Sequence, residues 1–203
     1  MSLIVVTGPM FAGKSTWIQN YVHRSSKISK RGLVVRPKHT ARYALESPGL
    51  MTTHDEVSTI DVLEIPMDTD LGSHIVEHVG EEALRTGCLD YVVVDEAQFC
   101  RGLYNFAKVF VETYDIQVVL VGLLTDFKRR PFVDYGSGAP EFLECLCIAD
   151  QHIQLTALCT HCRDGSPGIF TQRFKEDSDS VVVIGSSETY ESVCRKHYRS
   201  KNS

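Results

Sequence analysis

A glycine-rich segment near the start of the sequence has the residue types and spacing that bind phosphate groups. Residues 8–16 begin with the pattern G-x-x-x-x-G-K-[ST], which ends at Ser15, and they closely follow an apolar run at residues 3–6. Because glycine has no Cβ, backbone N–H groups of such a loop can approach phosphate oxygens, and a helix that follows directs more N–H groups at the anion. Lys14 could neutralise the β and γ oxygens of a nucleotide, and the Ser15 hydroxyl could bind Mg²⁺. A chance glycine turn before a lysine is the alternative, but it does not explain the strand and helix signals around the motif.

Two adjacent carboxylates follow another apolar run further along the chain. Residues 91–94 read Tyr-Val-Val-Val, and Asp95 and Glu96 come directly after them. Ligands of open α/β sheets bind at the carboxyl ends of strands, and there an aspartate of a phosphate-loop protein holds Mg²⁺, directly or through water. Glu96 would face the other way and could take the proton of an attacking hydroxyl. Two solvated acids that merely end a strand are the alternative, which the nearby phosphate loop disfavours.

Two pairs of metal-binding residues lie near the C-terminus, each with two residues between its members. Cys159 and Cys162 form the first pair, and Cys194 and His197 form the second. Four such donors can hold a tetrahedral zinc ion, and a set of three cysteines and one histidine leaves no open position, so we expect a structural site. His161 is a competing nitrogen ligand, but it lies inside the first pair and would strain it. Ordinary reduced cysteines beside a surface histidine are the alternative.

Apolar runs indicate the elements that would position these groups. Continuous runs without polar alternation are typical of strands covered on both faces of a parallel sheet. Such runs occur at residues 3–6, 33–35, 91–94 and 118–121. We expect helices from Gly13 to about Lys30 and from Leu71 to Arg85, and a mobile loop over residues 38–60. Strands separated by helical stretches predict an α/β, doubly wound parallel sheet.

This α/β pattern stops near Ala149. Beyond it the sequence contains the cysteine pairs, glycines, a proline and a short apolar run at residues 181–184 that we expect to form a strand. Such a composition is typical of a small subdomain supported by a metal ion. We therefore predict an ATP-binding α/β domain over residues 1–150 and a zinc-containing subdomain over residues 151–203.

Composition and charge limit the possible functions. The 203 residues are 43% hydrophobic and carry a net charge of -5, which argues against a broad nucleic-acid-binding face. No apolar run reaches the roughly 20 residues needed to cross a bilayer, and residues 1–7 do not resemble a signal peptide. Seven cysteines, an odd number, indicate reduced thiols more than a disulfide framework. We expect a soluble, cytoplasmic protein with neither nucleic acid nor membrane as a partner.

Five segments resemble the thymidine kinases of the cellular and poxviral type. They follow the order of that family, span nearly the whole chain, and are together more specific than any one motif. The segments are Gly8-Pro-Met-Phe-Ala-Gly-Lys-Ser-Thr16, Asp95-Glu-Ala-Gln-Phe99, Phe127-Lys-Arg-Arg-Pro-Phe132, Leu155-Thr-Ala-Leu-Cys159 and Tyr190-Glu-Ser-Val-Cys194.

The resemblance implies a RecA-like form of the doubly wound sheet and transfer of the ATP γ-phosphoryl group to the 5′-hydroxyl of thymidine. Glu96 would be the general base for that hydroxyl. Ser15 and Asp95 would bind Mg²⁺, and Arg129 would lie beside the phosphates. The loop residues around the phosphates would be Gly8, Pro9, Met10, Phe11, Ala12, Gly13, Lys14, Ser15 and Thr16.

The resemblance also implies how thymidine is enclosed. The segment between the two zinc pairs would be the family's lasso, which closes over thymidine mostly through backbone hydrogen bonds. Base and sugar would be surrounded by Met10, Phe99, Leu123, Phe127 and Phe132, with Thr171, Val181, Val183 and Tyr190 on the lasso side. The family is usually a homotetramer and is inhibited by its end product, dTTP.

The sequence departs from the family's pattern at several positions. Ala97 replaces a glycine after the acidic pair, and His197 replaces a cysteine, a change that zinc should accept. After the Thr53-His54-Asp55 triplet, Glu56 and Val57 stand where the family often has a basic residue, and Gly185 and Ser186 replace a double glycine. The lasso is also slightly longer than usual.

Two other functions are compatible with parts of this pattern. Another nucleoside or nucleotide kinase would share the phosphate chemistry but have a different base pocket. A nucleic-acid motor or DNA-binding ATPase is the second alternative, because Asp95-Glu-Ala-Gln98 is superficially similar to a helicase motif. A helicase usually needs two motor domains, however, and the negative net charge does not supply the basic surface that phosphate neutralisation requires.

Overall fold

The computed structural model describes residues 1–38, 50–52, 59–134, 136–173 and 189–201. The strands in these ranges are β1 (Leu3–Thr7), β2 (Gly32–Pro37), β3 (Leu50–Thr52), β4 (Thr59–Asp61), β5 (Leu63–Ile65), β6 (Tyr91–Val94), β7 (Gln117–Gly122), β8 (Gln151–Gln154), β9 (Ala157–Leu158), β10 (Pro167–Gly168), β11 (Phe170–Arg173) and β12 (Tyr190–Val193). The helices are α1 (Lys14–Ser26), α2 (Leu71–Val79), α3 (Glu81–Arg85), α4 (Leu103–Glu112), α5 (Glu141–Glu144) and α6 (Arg195–Lys201).

Six strands form one parallel sheet in the order β5-β2-β6-β7-β1-β8. Alternate side chains of a strand enter two separate apolar cores, so that Val92 and Val94 of β6 lie on one face and Val93 lies on the other. Both faces are therefore buried, which explains why these strands are apolar without alternation. The predicted α/β parallel sheet is confirmed, with β7 inserted between β1 and β6.

Helices cover both faces of the sheet. Ile18 of α1 is fully buried in the same core as Val93. Ile75 of α2, Leu84 of α3 and Phe106 of α4 belong to the core on the opposite face. Within the described ranges, none of the helices combines the length and apolar character that crossing a membrane would need.

The helical stretch predicted between Leu71 and Arg85 is two helices. Gly80 separates α2 from α3, because its φ of 92° and ψ of 131° lie outside the helical region. Asp70 caps the start of α2, where its Oδ1 accepts a hydrogen bond from the backbone N–H of Ser73 at 2.9 Å. Helix α1 is also shorter than predicted and ends at Ser26.

Short antiparallel strand pairs follow the sheet. Strand β9 pairs with β10, β11 pairs with β12, and α6 comes directly after β12. Cys159, Val193 and Tyr198 form a small buried core of their own here. Strand β8 lies beyond the boundary expected at residue 150, yet it pairs with β1 in the main sheet.

Some expectations lie outside the described residues. Of the loop expected over residues 38–60, the described parts include β3 and β4, which pair with each other. The strand expected at residues 181–184 and the departures noted at residues 53–57 and 185–186 are not among the described residues.

Candidate active site

The phosphate motif forms a tight loop between β1 and α1, as predicted. Gly13 precedes the helix in a left-handed conformation, with φ of 79°, and Trp17 N–H donates to its carbonyl at 2.9 Å. The Lys14 ammonium group donates to the carbonyl oxygens of Gly8 and Pro9 at 3.1 and 2.9 Å. The lysine is thus held over the same loop that would receive an anion, where its charge can meet phosphate oxygens. Phe11, at the tip, is exposed and has φ of 63°.

Asp95 and Glu96 lie at the carboxyl end of β6 and are almost fully buried, with 7% and 8% of their surfaces exposed. Glu96 adopts a left-handed conformation, with φ of 51° and ψ of 39°. For a residue with a Cβ this costs about 1–3 kcal/mol, and such strain concentrates at functional sites. The backbone thereby leaves the extended conformation of β6 at Glu96.

Gln98 holds Glu96 in place. Its Nε2 donates to Glu96 Oε2 at 2.6 Å, and its Oε1 accepts the backbone N–H of Leu123 at 3.0 Å. The glutamine therefore connects the expected base to the end of β7, which carries an expected nucleoside contact. Sequence reasoning did not select Gln98, although it belongs to the same acidic motif.

The neighbouring Cys100 is a neutral thiol. Burial and the nearby carboxylates of Asp95 and Glu96 raise the pKa of Cys100 far above its ordinary value. A neutral, buried thiol is a poor nucleophile, so Cys100 is not a candidate nucleophile at this end of β6.

Replacing Gln98 with leucine should slow the reaction while leaving the fold intact. Leucine fills a similar volume but removes the donor to Glu96 and the acceptor for Leu123. Loss of a buried hydrogen-bond partner costs about 1–3 kcal/mol, equal to about 5- to 150-fold in rate if Glu96 is misplaced by that amount. Steady-state kcat measures the effect, with exposed Gln154→Leu as the matched control. A kcat for Gln98→Leu equal to that of the control would exclude the positioning role.

Four of the expected nucleoside residues lie in two contacting groups. The Phe99 and Phe132 rings meet edge to face, with centroids 5.3 Å apart. Met10 reaches β11, where its backbone N–H donates to Thr171 Oγ1 at 3.0 Å. An edge-to-face pair at this spacing is a favourable aromatic contact, so the two rings hold each other in place. Tyr190 is buried at the start of β12, and Val181 and Val183 lie outside the described residues.

Asp126 shapes the loop that carries Phe127 and Arg129. Its buried carboxylate accepts the backbone N–H groups of Lys128 and Arg130, each at 2.8 Å, and it pairs with the Arg130 guanidinium at 3.1 Å. Arg129 has a φ of 61° within this turn. The basic run is therefore a tight turn organised by one aspartate, which the sequence prediction did not single out.

Tyr198 joins this turn to the C-terminal subdomain. Its hydroxyl donates to the Phe127 carbonyl at 2.9 Å, and the Arg129 guanidinium lies 4.6 Å from the centre of its ring. Arg129 also lies 5.7 Å from the Phe170 ring. The arginine expected beside the phosphates is thus stacked on aromatic rings, an arrangement in which cation–π attraction fixes its direction.

The four expected zinc ligands come together in one cluster, with all ligand atoms within 4.8 Å of one another. The His197 Nδ1 lies 3.4, 3.4 and 3.3 Å from the sulfurs of Cys159, Cys162 and Cys194, and the last two sulfurs are 3.7 Å apart. Ligands at tetrahedral angles around zinc would have about 3.6 Å between nitrogen and sulfur and about 3.8 Å between sulfurs. The donor set and its spacing therefore fit zinc.

The surroundings favour thiolate at Cys159. At Cys162 a hydrogen bond with Ser166 lowers the pKa, but burial and the sulfurs of Cys159 and Cys194 raise it to about 11. Burial alone would raise the pKa of Cys159, but hydrogen bonds from backbone N–H groups, including those of Cys194 and Cys162, lower that pKa to about 6. A thiolate is the form that binds metal. His161, the competing ligand, instead places its Nε2 3.0 Å from Glu191 Oε2, outside the cluster.

The family model and the similar proteins all indicate the same family. The family model described as "Thymidine kinase" matches residues 1–198. A thymidine kinase of Pyrobaculum aerophilum is 31% identical over 97% of this chain and 97% of its own length. Thymidine kinase a of Arabidopsis thaliana is 32% identical over 96% of this chain and 73% of its own length, and a thymidine kinase of rabbit fibroma virus is 29% identical over 96% and 94%.

Proposed function

Because this chain belongs to the thymidine kinase family, we propose that it transfers the γ-phosphoryl group of ATP to the 5′-hydroxyl of thymidine with Glu96 as the general base. The family makes the chain a phosphotransferase that acts on thymidine. The observation that carries the assignment of Glu96 is its buried carboxylate at the carboxyl end of β6, held by Gln98.

The proposed reaction is an in-line displacement at the γ-phosphorus. As the thymidine 5′-oxygen bonds to that phosphorus, its proton passes to the Glu96 carboxylate. The bond from phosphorus to the β,γ-bridging oxygen breaks, and its electron pair leaves on ADP. Glu96 accepts one proton and no phosphoryl group. The products are ADP and thymidine monophosphate, and the protonated Glu96 carboxyl later releases its proton to water.

The phosphate loop would bind the triphosphate. Backbone N–H groups at the start of α1 and the Lys14 ammonium group would neutralise phosphate oxygens. Ser15 and Asp95 supply hydroxyl and carboxylate oxygens, the donors that suit Mg²⁺, which would spread the phosphate charge when bound. Arg129 would approach the phosphates from the turn that Asp126 organises.

The cluster of three cysteines and His197 would hold a structural zinc ion in the C-terminal subdomain. Its four protein ligands leave no position for water or substrate, so it supplies no reactive group. We propose that residues 155–203 act as a unit that closes over thymidine through Thr171, Val181, Val183 and Tyr190. The main domain would extend to Gln154, because β8 completes the sheet.

The family resemblance also supports three further expectations. We propose that the protein forms a homotetramer, is inhibited by dTTP and acts in the cytoplasm. Light scattering of the purified protein would give the oligomeric state, and a dTTP titration against thymidine turnover would measure inhibition.

A nucleoside panel tests the proposed substrate. With magnesium ATP, thymidine and deoxyuridine should be converted to monophosphates, whereas deoxycytidine and purine nucleosides should be ignored. Product formation is followed by chromatography. Preferential turnover of a purine nucleoside would contradict the proposal, and ATP hydrolysis stimulated by DNA without any nucleoside monophosphate would indicate a nucleic-acid motor.

A further inference from the structure

The peptide backbone of Met10, in the phosphate loop, is held on both sides by the strand pair β11–β12. Its N–H donates to Thr171 Oγ1 at 3.0 Å, and its carbonyl accepts a hydrogen bond from Ser192 Oγ. Thr171 belongs to β11 and Ser192 to β12. Two hydroxyls from one strand pair therefore fix a residue that is more than 160 positions away from both in the sequence.

The hydroxyls of Thr171 and Ser192 lie side by side and act on Met10 together. Thr171 and Ser192 are direct partners in the β11–β12 register, so their side chains lie on the same face of the strand pair. Both residues are buried, with 8% and 1% of their surfaces exposed. Met10 is half-buried, and the two hydrogen bonds tie its backbone position to that of the strand pair.

The strand pair is itself connected to two functional segments. At one end, Val193 directly precedes the zinc ligand Cys194. At the other end, Tyr190 begins β12, and the proposed function places it, like Thr171 of β11, against thymidine. If nucleoside binding shifts the strand pair, the Met10 backbone, and with it the phosphate loop, would therefore move as well.

We propose that Ser192, with Thr171, couples nucleoside binding to the geometry of the phosphate loop, so that thymidine and nucleotide bind with positive cooperativity. Ser192 is a positioning residue in this scheme, since it contacts Met10 and no reacting atom. The inference rests on the proposed function. Coupling between sites is reciprocal, so each ligand must tighten the other by the same factor.

The test measures the thymidine Kd by calorimetry with and without a saturating, nonhydrolysable magnesium ATP analogue. For the unmodified chain the analogue should lower the Kd at least about fivefold, the lower end of typical coupling. In Ser192→Ala the ratio should fall to near one. Thr160→Val is the matched control. The Thr160 hydroxyl, outside the strand pair, donates to the backbone carbonyl of Ser192 and not to Met10, so this control should keep the coupling.

A second pair of variants keeps the test decisive if Ser192→Ala does not fold. Thr171→Val removes the other hydroxyl at nearly constant volume, whereas Thr171→Ser keeps it, so only the valine variant should lose coupling. Equal ratios in all variants, or no coupling in the unmodified chain, would overturn this inference alone. Absence of any thymidine binding by the unmodified chain would instead overturn the proposed function.

Discussion

Glu96→Gln should lower kcat for thymidine phosphorylation by about 10²- to 10⁴-fold, the usual contribution of a positioned general base. Glutamine has the shape of glutamate and can still accept the hydrogen bond from Gln98, because its amide oxygen can occupy the position of Glu96 Oε2. What it cannot do is take the proton of the 5′-hydroxyl. The affinities for thymidine and nucleotide should therefore change little.

Single-turnover kinetics with preformed ternary complex would isolate this step from product release. Glu112→Gln, an identical change on the exposed end of α4, is the matched control and should retain full turnover. A Glu96→Gln variant that turns over within a few-fold of this control would show that another group removes the proton. Loss of binding in place of turnover would instead assign Glu96 to substrate recognition.

Cys159→Ser should remove zinc and most of the activity together. A hydroxyl is a weak zinc ligand at neutral pH, and even changes outside the ligand set lower metal affinity about 10- to 100-fold. Structural zinc contributes about 10–16 kcal/mol of apparent binding free energy in small zinc-binding peptides, as much as the stability of a whole domain. The described part of the C-terminal subdomain has a small apolar core, so the subdomain should lose its order without the ion.

Zinc content by atomic emission and thymidine turnover should fall in parallel in this variant. Cys147→Ser, at an exposed cysteine outside the cluster, should change neither. His197→Cys is a second control, because a set of four cysteines also binds zinc and should preserve both properties. A Cys159→Ser protein with one zinc per chain and unchanged turnover would refute the assignment of the site.

The parts of this molecule that the sequence could predict depend on short spacings. The phosphate motif and the acidic pair follow apolar runs directly, and the runs themselves require a sheet covered on both faces. Each of the two zinc-ligand pairs has only two residues between its members, so both members of a pair could be found without knowing the fold. These features are local, and local pattern is what a single sequence displays.

The remaining features depend on contacts between distant segments. The Ser192 hydroxyl donates a hydrogen bond to the Met10 carbonyl, and the Tyr198 hydroxyl donates one to the Phe127 carbonyl. No spacing in the sequence links the members of either pair. Strand β8 is mostly exposed, so it lacks the apolar run that revealed the other central strands. Gly80 lies in a segment whose apolar residues have helical periodicity, and a single glycine there does not by itself show that a helix stops.

The position of β7 between β1 and β6 sets the distance between two parts of the candidate site. Neighbouring strands lie about 4.8 Å apart, so the start of the phosphate loop and the end that carries Asp95 are about 9.6 Å apart. A hydrated cation between the Asp95 carboxylate and the phosphates of a bound nucleotide would fill a gap of this width. The order of strands in the sheet thus sets the separation between the loop expected to bind phosphate and the carboxylate expected to bind the metal.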